Sequence, residues 1–149
     1  MNIMKDDIFE VIYSKVQDFH KKYSEAQTLE DRNKVRSDYN ALMEDVEKHG
    51  EHFCRIWKEY ESSKDCGNAY IDINDVVWDK DAEKLISCMR ENGIDKFTFS
   101  SRWSGSVETA WLFQKAGCKL EGLVEINSRI KDYMNDEYEK VHGYLFSIC

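Results

Sequence analysis

A chain of 149 residues, 42% hydrophobic and 13% aromatic, holds enough apolar material for one packed domain and too much to stay disordered. No run approaches the ~18 apolar residues of a membrane span, and the first residues carry no signal-peptide pattern, so a cytoplasmic protein is expected. The net charge of −8 is spread as 15 acids against 11 bases in residues 1–66 and 14 against 10 in residues 67–149; this argues against autonomous nucleic-acid binding, which needs a basic surface to neutralise phosphates.

Residues 2–24 place Phe9, Ile12, Val16, Phe19 and Tyr23 three or four apart, with Asp7, Glu10, Lys21 and Lys22 on the other side. That is an amphipathic helix. Thr28, three residues before Asp31, has the spacing of a capping box and opens a second helix. Its seam (Val35, Tyr39, Leu42, Val46, His49, Phe53, Ile56, Tyr60) keeps a heptad rhythm and predicts one long helix over residues 29–64. The short connection makes it antiparallel to the first. Gly50 allows a bend, and the stretch beyond it, with Phe53, Trp57 and Tyr60, is expected to lie on the rest of the fold. His49 falls on the seam and reads as a buried polar residue. With His52 and Asp45 it can be drawn as a metal cluster, but no Glu-x-x-His pair completes one, so no metal is expected.

Cys66-Gly67-Asn68 closes that helix, and residues 69–73 form a short strand. Asp79 is placed to cap a third helix whose inner face is Ala82, Leu85, Ile86 and Met89, with Asn92-Gly93 as its stop. Residues 96–127, KFTFSSRWSGSVETAWLFQKAGCKLEGLVEIN, read as strand, polar loop, helix, glycine stop and strand. Phe97 and Phe99 alternate with polar residues, as a strand requires. Ser104 or Ser106 can cap the helix, in which Val107, Ala110 and Trp111 share a face, and Gly117 supplies the left-handed end. Beyond Asn127 comes a polar stretch over residues 128–140, then a last strand over residues 141–148 paired antiparallel with its predecessor. The fold expected is α+β, in the order ααβαβαββ. A helical hairpin (residues 1–66) docks on a small mixed sheet with two further helices (residues 67–149), the whole forming one compact domain.

Five cysteines (Cys54, Cys66, Cys88, Cys118, Cys149) without a CxxC pair point to thiols in a reducing compartment, not to a disulfide or zinc framework. No carboxylate pair stands out as catalytic, and no cofactor is expected. Glu121 and Glu125, on the side of Lys119, read as a solvated edge. The loop of residues 100–106 is the first candidate for binding. It leaves the carboxyl end of a strand and opens a helix, and it offers Arg102 for an anion and Trp103 for a flat face.

Two resemblances add to this. Residues 94–148, with Lys115-Ala116-Gly117, Glu121-Gly122 and a closing Tyr144-Leu145-Phe146, resemble the C-terminal half of a GCN5-related acetyltransferase. That family holds the acetyl-CoA pyrophosphate on a glycine-rich loop. The matching residues here, Asn74-Asp75-Val76-Val77-Trp78-Asp79, have two aspartates and no glycine, so the resemblance implies the fold and, as an alternative function, a degenerate acetyltransferase or acyl-CoA binder. The whole chain, above all VVWDKDAEKLISCMRENGIDKFTFSS and WSGSVETAWLFQKAGCKLEGLVEINS, resembles a family of small acidic proteins from plasmids, conjugative elements and phages. This implies accessory work for a mobile element: a non-enzymatic inhibitor of a host defence system, of anti-CRISPR type, acting on a basic surface of a CRISPR–Cas effector. The partner-binding contact expected combines Arg102, Trp103 and Ser104 with the acids Asp72, Asp75, Asp79, Asp81 and Glu83.

Overall fold

A computed structural model describes residues 3–148; Asn2, assigned above to the first helix, Cys149 and the side chain of Asp7 lie outside the described residues. The elements are α1 (Ile3–Glu25), α2 (Leu29–Glu47), α3 (Glu51–Asp65), β1 (Ile71–Ile73), α4 (Asp79–Glu91), β2 (Lys96–Phe99), α5 (Ser106–Lys115), β3 (Cys118–Asp132) and β4 (Glu137–Ile148). The class is α+β and the order is the expected one, with the long second helix divided at Gly50.

Thr28 caps α2 as its spacing implied, its hydroxyl accepting from the Asp31 amide at 3.1 Å. The division follows at Gly50, whose φ of +100° belongs to the left-handed region. A straight continuation would carry Phe53 and Trp57 away from the body of the molecule. Broken there, α3 buries Phe53, Ile56 and Trp57 and still reaches α1. Phe9 stacks on Phe53 with ring centroids 4.8 Å apart, Tyr60 donates to Glu10 at 2.6 Å, and Tyr13 donates to Asp65 at 2.8 Å. His49 is therefore not on a buried seam. It sits exposed in the break, stacked on Phe53 at 4.3 Å. A methyl group on Gly50 would meet nothing within 4 Å, so Gly50→Ala carries only the backbone cost. It is expected to lower the unfolding free energy by about 1 kcal/mol in a urea titration; unchanged stability would mean that the turn relaxes freely.

The four strands lie in the order β1-β2-β4-β3, β1 parallel to β2 and the other pairs antiparallel. On one face Phe97, Phe99 and Phe146 surround Phe113 of α5 at centroid distances of 5.1, 5.5 and 5.5 Å. Gly117 ends α5 at φ +100°, as expected. Two helix starts differ from the sequence reading. Trp78, not Asp79, is the N-cap of α4, and Gly105, not Ser104 or Ser106, is that of α5; neither makes a side-chain capping bond.

The polar stretch over residues 128–140 is mostly strand. β3 continues to Asp132 and β4 begins at Glu137, so the two form a long hairpin. Its outer end extends beyond the other strands and is solvated on both sides, which explains a composition that hides the strand. A register shift between Asn127 and Lys131 bends it back toward α3 and β1. There the Asn68 side chain accepts from the Asn127 amide at 2.8 Å and donates to its carbonyl at 2.9 Å. Among the described residues no helix is long and apolar enough to cross a membrane, and Cys54, Cys66, Cys88 and Cys118 are free of disulfides.

Candidate functional site

The loop after β2 leads to an aromatic edge. Ser101 accepts from the Trp103 amide at 3.1 Å, and Arg102 donates to Glu139 at 3.1 Å. Ser104 is exposed and Trp103 is 69% exposed. Val107 and Trp111 follow Trp103 at intervals of four residues and are 67% and 63% exposed. Trp103 precedes α5; Val107 and Trp111 share a face of the helix that points outward, because Thr109 and Phe113 fill its inward side. Thr109 accepts from the Val77 amide at 3.0 Å, and Gly105 lies against Val76, so α5 is fastened to the turn that precedes α4. The next residue in that turn, Trp78, is 70% exposed. Three of the four tryptophans are therefore on the surface of this one region; only Trp57 is buried.

The five acids assigned to this contact separate into three groups. Asp75, Asp79 and Glu83 are exposed on the turn and first turns of α4. Asp81 is half-buried and shares a hydrogen bond with His52 at 3.2 Å, linking α3 to α4. Asp72 is buried, which removes it from the surface contact. Its carboxylate accepts from Thr98 at 2.8 Å and from Ser100 at 2.7 Å, on the face of the sheet opposite the phenylalanines. Burial pushes the Asp72 carboxyl up from its ordinary value, against the opposing pull of the two hydroxyls and of Arg129. Glu51, His52 and Asp81 bring ligand atoms within 4.8 Å of one another, a grouping able to hold a cation. The sequence pairing of His49 with His52 did not point to it.

Behind the aromatic edge lies a cleft of about 390 Å³ at the carboxyl ends of β1 and β2, walled by the bent hairpin. Ser101, Arg102 and Trp103 line one side, and Ser128, Arg129 and His142 line the other. Arg129 fixes the floor. Its Nη2 donates to Glu59 at 2.6 Å and to the Asp72 carbonyl at 3.2 Å, and Glu59 also accepts from the Asn74 amide at 2.9 Å. Sequence reasoning singled out Arg102 and Trp103 but missed Arg129, 70 residues from Glu59 and inside a stretch read as loop. The polar residues Thr98 and Ser100, alternating with Phe97 and Phe99, were the available signal that this face of the sheet holds something other than apolar side chains.

These features define an α+β domain with an exposed tryptophan edge, acids beside it and a polar cleft behind. The chain belongs to the family of the domain of unknown function DUF7698, whose pattern residues 55–148 match. No curated protein and no solved structure matches it. The matched residues begin within α3, so the family unit includes the helix that covers β1 together with the sheet, the edge and the cleft.

Proposed function

We propose that this chain is a non-enzymatic interaction protein that docks on a basic-rimmed surface of a protein or nucleoprotein complex, and that it serves a mobile element by inhibiting a host defence effector of the CRISPR–Cas kind. The observation that carries the docking part is the exposure of Trp78 at the start of α4, Trp103 in the loop before α5 and Trp111 on α5. Tryptophan is the side chain most enriched at energetically dominant contacts, and leaving three exposed in one region gives an apolar anchor with little cost in ordering. Asp75, Asp79 and Glu108 stand exposed on the same turn and helix, and with a net charge of −8 they favour encounter with a basic rim. The inhibitory part rests on the resemblance to mobile-element proteins. The test is plasmid or phage interference in cells carrying type II, V or VI systems. Loss of interference when the protein is expressed is the expected result, and full interference in all of them overturns the defence assignment.

The acetyltransferase alternative makes a different demand. Pyrophosphate would sit at the start of α4, where Asp75 and Asp79 are exposed and repel it. Calorimetry with acetyl-CoA and CoA is expected to show no binding at micromolar concentration. A micromolar dissociation constant, or acetyl transfer to a protein, would put the enzyme reading first.

A further inference from the structure

We propose that the cleft behind the aromatic edge is a binding site for a small organic anion, a carboxylate or a phosphate attached to a flat ring. This goes beyond the docking function and does not depend on it. In a chain with 29 acids against 21 bases, the residues lining this cleft include two arginines and a histidine, and among the described residues no carboxylate. The carboxylate partners of the two arginines, Glu139 and Glu59, stand outside this lining, so the groups that face the cleft are donors suited to an anion.

The donors have capacity to spare. Among the described residues Arg129 engages Glu59 and the Asp72 carbonyl through Nη2 alone, which leaves Nε and Nη1 for another acceptor. Its ion pair also locks the guanidinium in place before any ligand arrives. Among the described residues Arg102 is held by Glu139 alone, a solvent-exposed partner that an incoming anion can replace. The Ser101 hydroxyl accepts from the Trp103 amide and keeps its own proton to donate. Two acids lie beneath the cleft: Glu59 is held by Arg129 Nη2 and the Asn74 amide, and Asp72 has both oxygens engaged by Thr98 and Ser100. Trp103 lines the mouth and offers a ring face. About 390 Å³ suits a nucleoside monophosphate or an aromatic carboxylate and is too small to enclose CoA.

The test is a titration of the full chain, labelled with nitrogen-15, with two anions and their neutral counterparts: AMP against adenosine, and benzoate against benzamide. The Trp103 indole and the Arg102 and Arg129 side-chain signals are expected to shift with at least one anion. That anion should bind at least about ten-fold more tightly than its neutral partner, the advantage shrinking at high salt. AMP alone binding identifies a phosphate site, and benzoate alone identifies a carboxylate site. Arg102→Gln should remove most of the preference for the anion while leaving the neutral partner's affinity unchanged. Trp111→Ala, outside the cleft but on the docking edge, should leave anion binding intact, so failure of docking and failure of the cleft are told apart. Equal affinity for charged and neutral probes, or no shift of the cleft signals with any of the four at millimolar concentration, overturns the proposal.

Discussion

Asp72→Ala is expected to lower the unfolding free energy by about 3 kcal/mol at neutral pH. The substitution leaves the hydroxyls of Thr98 and Ser100, both buried, facing a space from which their acceptor has gone. A buried donor without a partner costs about 1–3 kcal/mol, and the relief of a desolvated charge offsets part of the sum. Asp72→Asn retains one acceptor oxygen and nearly the same volume, so it should cost clearly less than alanine. The two variants also separate the charge from the hydrogen bonds. Burial raises the folded carboxyl above its ordinary value, so between that ordinary value and the raised one the folded protein holds a proton that the unfolded chain has released. Stability therefore falls as pH rises through that window. Asp72→Asn lacks this contribution, so its stability relative to the natural chain should improve as pH rises from acid and level off once the folded carboxyl has ionised. Denaturant titrations at a series of pH values read this directly; a relative loss by the asparagine variant over the same rise would mean that the hydroxyls and Arg129, not burial, control the carboxyl.

The same residue shows where sequence reading stops. Asp72 lies between Ile71 and Ile73, and period-2 logic assigns it to a solvated side of the strand. The β3–β4 hairpin bends back to place Arg129 against that strand beside α3, and the bend comes from a register shift that polar residues 128–140 do not announce. Periodicity was reliable where one face alone meets the core: the stripes of α1 and α4, the phenylalanines of β2, and the glycine stop at Gly117 were all legible. It misled at α5. Val107, Ala110 and Trp111 look like a core face, yet Phe113 and Thr109 fill the core, leaving Trp111 in solvent. The heptad rhythm likewise runs unbroken through Gly50, since the spacing of apolar residues is the same whether α3 continues α2 or turns away from it. Arg102 and Trp103 could be named from sequence because they follow a strand end. Trp78 and Trp111 join them only through the contact of α5 with the turn at Val76 and Val77.

Trp103→Ala and Trp111→Ala are each expected to weaken partner binding by about 2 kcal/mol or more, roughly thirty-fold in dissociation constant. Both side chains are more than half exposed in the isolated chain, so their removal should leave the circular dichroism spectrum and the unfolding midpoint close to unchanged. The lost affinity then reports burial against the partner and not damage to the fold. Asp75→Asn and Asp79→Asn should each cost less than about 1 kcal/mol, because exposed charges are screened by water and salt and act mostly on the rate of encounter. The difference has a kinetic signature. Tryptophan variants should dissociate faster with little change in association, whereas aspartate variants and raised salt should slow association without abolishing the complex. Surface plasmon resonance against the captured effector distinguishes the two, and the order of effects should recur in the interference assay. Aspartate variants as damaging as the tryptophan ones would instead assign the contact to charge mimicry of a nucleic acid. The docking surface would then have to be redrawn around Asp75, Asp79 and Glu83.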